Sequence, residues 1–136
     1  MQLQIQQVFE HWKIVLQHDR ARLDTKRTRM ISSALAWGYS VEDLQLAIEG
    51  CAGSPFHMGD NDRNTIYDGL DLILRDADKI DRFMASGEQL RAKIRRNIER
   101  RRAQLQAADI AGNQTKTVAD EYLTELHRLL GRKVPA

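Results

Sequence analysis

The sequence predicts an all-α protein, and three observations predict it. Apolar residues recur at steps of three and four along most of the 136 residues. Only two prolines occur, Pro55 and Pro135, so two long stretches are free of helix breakers. Hydrophobic residues at 42% and charged residues at 29% are globular values, sufficient for a core that needs neither disulfide nor metal. The expected architecture is a compact bundle of about four helices, 3–18, 25–37, 41–49 and 65–84, followed by a basic helix and a short final helix that together form a helical hairpin. The expected division is a core over 1–86 and a basic helical extension over 87–136.

The elements follow in order. Leu3, Ile5, Val8, Phe9, Trp12, Val15 and Leu16 mark one face of a first helix. Asp24 or Thr25 caps a second, with Met30, Ile31, Ala34 and Leu35 inward and Gly38 as a left-handed stop. Ser40 opens a third, with Asp43 where a capping box places its acid. The corner at Gly38-Tyr39-Ser40 has helix-turn-helix proportions. The second helix, however, begins Val41-Glu42-Asp43, and two acids at the end that would enter a major groove argue against that use. An irregular stretch, GCAGSPFHMGDNDR, runs from Gly50 to Arg63. Asn61 or Asn64 then caps a helix over 65–84, whose stripe of Ile66, Leu70, Ile73, Ala77, Ile80 and Met84 predicts the central core helix, broken at Ser86-Gly87. A thin seam of Leu90, Ile94, Ile98 and Leu105 follows, stopped at Gly112-Asn113. Thr115 or Thr117 starts the last helix, with Val118, Tyr122, Leu126, Leu129 and Leu130 inward and Gly131 as its stop.

Charge is unevenly distributed. Met1 to Gly87 carries 10 basic and 13 acidic residues, a net of −3, and Glu88 to Ala136 carries 11 basic and 6 acidic, a net of +5. A polyanion, where one is met, meets the second part. Within it, Arg91, Lys93, Arg95, Arg96, Arg100, Arg101 and Arg102 surround the thin seam. Such a helix is either a solvated surface or a salt-sensitive, sequence-independent contact for phosphates, and its narrow seam also suits self-association. The lone Cys51, the absence of an apolar leader and the absence of any apolar run near ~20 residues lead to the expectation of a reducing cytoplasm and no membrane.

Tests for chemistry come out negative. Cys51, His57, Asp60 and Asp62 match no zinc spacing, and Thr65 stands where a calcium loop starting at Asp60 needs glycine, so no metal is expected. Cys51 reads as a small buried hydrophobe, and His11 and His18 as surface residues. No glycine-rich phosphate loop and no carboxylate pair in an apolar setting occur. The expectation is a binding protein with no catalytic residues and no cofactor. In the irregular stretch, Phe56, His57 and Met58 either plug the core beside Ile73 and Tyr67 or form a knob for a partner, and closure on the core is expected. Arg63 and Arg75 then serve as rim contacts for phosphate or carboxylate.

A resemblance adds to this. The runs Gly38-Tyr39-Ser40-Val41-Glu42-Asp43-Leu44, Ala47-Ile48-Glu49-Gly50-Cys51, Ser54-Pro55-Phe56-His57-Met58-Gly59-Asp60-Asn61-Asp62-Arg63, Tyr67-Asp68-Gly69-Leu70 and Leu74-Arg75-Asp76-Ala77 resemble a segment of phage and prophage DNA replication proteins, the replisome organisers and helicase loaders of temperate phages. The resemblance spans about Val8 to Phe83 and is most distinctive over Ser54 to Arg63. It implies a non-enzymatic role in replication initiation in a bacterial host cell, through the host replicative helicase or another replisome protein, or through single-stranded DNA. No origin-binding winged helix fits before Val8, so a stand-alone loader or accessory factor is expected. The alternative is a small regulator or inhibitor that binds only protein.

Overall fold

The computed structural model describes residues 1–107 and 118–131. The regular elements among them are helices: α1 (Gln2–Val15), α2 (Thr25–Ala36), α3 (Val41–Ala52), α4 (Leu70–Ile73), α5 (Ala77–Ala107) and α6 (Val118–Leu129). The all-α class read from the sequence is the observed one. The chain divides into two compact units, Met1–Glu88 and Gln89–Ala136, and α5 supplies turns to both.

In the first unit α3 is the central helix. Every residue from Leu46 to Ala52 is buried. A helical stretch that is apolar all round belongs inside a core, and Leu46 to Ala52 has nearly that composition, Glu49 excepted, whereas the segment 65–84 does not hold the centre. Its N-terminus is closed by a capping box between Ser40 and Asp43, as the spacing predicts. α1 packs on α3 and α2 through Ile5, Val8, Phe9, Trp12 and Val15. Leu3, expected inward, is 67% exposed because it lies off that stripe. Asp24 caps α2 by accepting from the Arg27 amide at 2.8 Å, and Ile31 and Ala34 face the core while Met30 and Leu35 are half-buried. Gly38 takes φ +106°, so the corner from α2 to α3 uses the freedom only glycine has. Tyr39 ties this corner to α5: its hydroxyl donates to Asp81 Oδ1 at 2.7 Å and to the Ala77 carbonyl at 3.2 Å. The bond to Asp81, with burial, pushes the phenol up to about 12.

The predicted helix over 65–84 is absent. In its place is an extended approach to a single helical turn, α4, a break at Leu74 to Asp76, and the start of α5. The four-and-three spacing of apolar residues suits a helix, but the backbone of its first turn is engaged elsewhere. The Tyr67 amide donates to the His57 carbonyl at 2.7 Å. The Cys51 thiol donates to the Tyr67 carbonyl at 3.6 Å, and the Trp12 indole to the Asp68 carbonyl at 2.8 Å. Asp76 ends any helix before it by capping the next one, accepting from the Lys79 amide at 2.8 Å. Neither Asn61 nor Asn64 caps a helix; Asn61 pins the loop, and Asn64 sits at φ 49°.

The break expected at Ser86-Gly87 is also absent, because Gly87 is an interior contact. A Cβ added at Gly87 would overlap the Leu46 carbonyl oxygen of α3, and one at Gly50 would overlap the Phe83 carbonyl of α5. The pairing of 46 with 87 and 50 with 83 shows that α3 and the first turns of α5 run antiparallel with their backbones in contact. The expected stops at Gly112-Asn113 and the starts at Thr115 or Thr117 lie outside the described residues. Gly131 closes α6 at φ +66°.

Helix propensity favours alanine over glycine by ~1 kcal/mol at an exposed helical site. At Gly87 the close approach reverses that sign. Gly87→Ala is expected to lower the stability of the full chain by about 2 kcal/mol, and Ser86→Ala, at the exposed neighbouring position, to leave it unchanged or slightly raised. Urea unfolding followed by circular dichroism measures both. Equal, small effects would remove the packing argument.

Candidate functional site

The basic residues of α5 divide by their partners. In the second unit α6 runs antiparallel to α5, and its acids face it. Arg101 donates to Glu125, and Arg102 to Glu121. Asn97 and Arg128 also donate to Glu125, at 3.2 and 3.0 Å, and the Glu125 side chain is only 3% exposed. Ile94, Ile98 and Leu126 form the apolar centre of this unit, with Tyr122, Leu129 and Leu130 half-buried. Arg91 is half-buried. Lys93, Arg95, Arg96 and Arg100 are exposed, and none of them makes an ion pair with a described residue. At 100° per residue, Lys93, Arg96 and Arg100 fall within about 60° of one another, roughly 100° around the helix from Ile94 and Leu90, whereas Arg95 lies on the other flank. The seven-residue cluster is therefore a stripe of three, with Gln89 and Gln104 extending it and also exposed.

The irregular stretch between α3 and α4 turns its side chains both ways. His57 folds inward: its Nδ1 shares a hydrogen bond with Ser54 Oγ at 2.7 Å, and its ring meets Phe83 edge-on at 4.9 Å. Burial there, with Lys79 adding to it, holds the imidazole below its ordinary value of 6.5. Met58 is half-buried and bridges Ile66. Phe56 does not close on the core as expected. It is 55% exposed and lies flat against Tyr67, with ring centres 6.1 Å apart. Pro55 is also exposed beside it. Asn61 fixes the loop by donating to the carbonyls of Phe56 and Thr65, each at 2.7 Å, and accepting from the amides of Arg63 and Thr65. Asp60 and Arg63 line a recess of about 390 Å³ with Phe56, Asn61, Asp62 and Tyr67. Arg75 is exposed in the break between α4 and α5, outside that recess.

The chain was compared with protein-family models, curated proteins and solved structures. None of them matches it.

Sequence reading missed the work of two histidines. His11 Nε2 donates to Glu49 at 2.8 Å, a carboxylate 1% exposed within α3. His18 Nε2 donates to Asp68 at 2.7 Å while its ring stacks on Trp12 at 4.4 Å. Arg27 lies over the Trp12 ring at 5.1 Å. Trp12, His18, Arg27 and Asp68 border a cleft of about 620 Å³ with Arg20 and Gln17, the latter at φ 56°. The contacts span 38 and 50 residues of sequence. A signal existed for Glu49 alone: an acid set between Ile48 and Gly50 in the otherwise apolar run Leu46 to Ala52 requires a partner. Among the described residues, no group of three or more His, Cys, Asp and Glu side chains is placed to hold a metal ion.

Burial by itself would raise the Glu125 carboxyl. The hydrogen bonds from Arg101 and Asn97 and the charges of Arg101 and Arg128 outweigh it and hold the group below its ordinary value of 4.5. A carboxyl depressed in the folded state stabilises that state above its unfolded value, and the contribution is lost as pH falls through the folded one. Glu125→Gln is thus expected to cost about 2 kcal/mol at pH 7. The gap between the two proteins should close on acidification below 4.5. Thermal melts of both from pH 7 to pH 3 check this, and a gap independent of pH would refute it.

Proposed function

We propose that this chain is a non-enzymatic accessory factor of phage-type DNA replication that holds single-stranded DNA through α5 and binds the host replicative helicase. One observation carries the nucleic-acid part: Lys93, Arg96 and Arg100 form an exposed stripe, while Arg101 and Arg102 are taken up by α6. Three cations along two turns of a rigid helix suit successive phosphates of a flexible strand. They offer no base-edge recognition, so the binding is salt-sensitive and indifferent to sequence. The first unit has its own basic residues but a net negative charge over Met1 to Gly87, which favours the second unit as the polyanion contact. The helicase part rests on the resemblance carried by Gly38 to Ala77, whose most distinctive run includes the exposed Phe56. A second reading, a regulator that binds only protein, is favoured by that same exposed ring. It dispenses with the stripe.

Binding of oligo(dT) to the full chain, measured by fluorescence anisotropy between 50 and 200 mM salt, separates the two. The first reading expects a log–log salt slope near −2, about −0.7 for each of three phosphate contacts on a single strand. Replacing Lys93, Arg96 and Arg100 together with Gln is expected to flatten it. Replacing Arg101 and Arg102 is expected to leave the slope nearly unchanged. No binding at the lowest salt would leave the protein-only reading. Co-elution of the full chain with the purified replicative helicase of a bacterial host tests the remaining part, and its absence would remove the helicase from the proposal.

A further inference from the structure

The loop between α3 and α4 holds an apolar surface that the first unit does not use for its own packing. Phe56 and Ile66 are each 55% exposed. Isolated exposed apolar residues are ordinary, but these two belong to one pinned loop. Asn61 makes four hydrogen bonds to the backbone of Phe56, Arg63 and Thr65. The Met58 to Ile66 bridge and the bond from the Tyr67 amide to the His57 carbonyl hold the two sides of the loop together. Phe56 rests on Tyr67 with the ring planes 19° apart, which fixes its orientation. The ordering entropy of this shelf is therefore met by folding rather than by binding, the condition under which a small apolar surface gives useful affinity.

The chemistry beside the shelf selects the occupant. The 390 Å³ recess next to Phe56 and Tyr67 is bordered by Asp60, Asp62 and Arg63, a net charge of −1. The carboxylates of Asp60 and Asp62 make no hydrogen bond or ion pair with a described residue. A guanidinium or ammonium placed there would meet two carboxylates and the aromatic wall of Phe56 and Tyr67, against the single opposing charge of Arg63. We propose that this shelf is the docking surface for a segment of a partner protein that lays an apolar side chain on Phe56 and directs an arginine or lysine to Asp60 and Asp62. A nucleobase would also stack on Phe56, but its phosphates would face the same two carboxylates, so charge favours the protein. The inference deepens the partner-binding part of the function proposed above. It rests on that reading only for which protein the partner is.

The test titrates the isotope-labelled full chain with a synthetic hexapeptide, acetyl-Ser-Leu-Phe-Arg-Lys-Ser-amide, and records amide chemical shifts. Shifts are expected at Phe56, Asp60, Asn61, Asp62 and Tyr67. A counterpart peptide with glutamate in both basic positions is expected to bind at least about tenfold more weakly. Asp60→Asn with Asp62→Asn, both at exposed positions, should weaken the basic peptide about fivefold. Phe56→Ala should weaken it about tenfold or more. Equal binding of the two peptides, no shifts with either, or movement of Phe56 by oligo(dT) would each overturn the proposal. Peptide binding that survives when the helicase fails to co-elute counts against the helicase and not against the shelf.

Discussion

The contact on which the first unit depends is the backbone approach of α3 to α5 at Gly50 and Gly87. Two helices normally keep 8–10 Å between axes because side chains separate them. Here the carbonyls of Phe83 and Leu46 occupy the space a Cβ would need, so neither glycine can be exchanged without moving a backbone. The approach lets α3 be buried on every side. α1 and α4 pack on it as well, and Glu49, carried into that interior, obtains its partner from His11. It also explains why Ser86-Gly87 does not end a helix. A glycine that weakens the helix locally is retained because packing around it returns more than the ~1 kcal/mol it costs.

How much of this was legible follows from which interactions are local. The capping box at Ser40, the Asp24 cap and the Gly38 turn involve residues within a few positions of each other, and the spacing of residue types revealed them. The buried faces of α1 and α2 were legible for the same reason, since amphipathic period is a local property. The segment 65–84 misled because its apolar period is helical while its hydrogen bonds are not. Three of the groups that hold its first turn open, Trp12, Cys51 and His57, lie ten or more residues away in sequence. Gly87 misled in the opposite sense, since its stop-like identity is local and its reason, the Leu46 carbonyl, is distant.

The same division holds for the functional residues. The sequence located the basic cluster but not its subdivision. That Arg101 and Arg102 are neutralised by Glu125 and Glu121 depends on α6 lying antiparallel beside them, with ten residues of chain between it and the end of α5. Only the Glu125 carboxylate of these pairs is buried, and a buried acid that needs its cations constrains the register of the two helices. Glu125 can accept from Arg101 and Asn97 together only where residues one turn apart on α5 reach the same carboxylate. The acids of α6 thus fix the helix pair and determine which cations of α5 remain for a partner.

The two candidate surfaces differ in how they would contribute to an encounter. The stripe at Lys93, Arg96 and Arg100 is solvated, and exposed charges act mainly on association rate and fade with salt. The shelf at Phe56 and Tyr67 is aromatic, pre-ordered and small, and such surfaces act on residence time. A protein that meets a strand fast and loosely, and a partner protein slowly and more durably, would stay with the partner while sampling the strand. That ordering of lifetimes follows from the charge of one surface and the burial chemistry of the other. It holds whichever partner the shelf receives, because neither property depends on the partner's name.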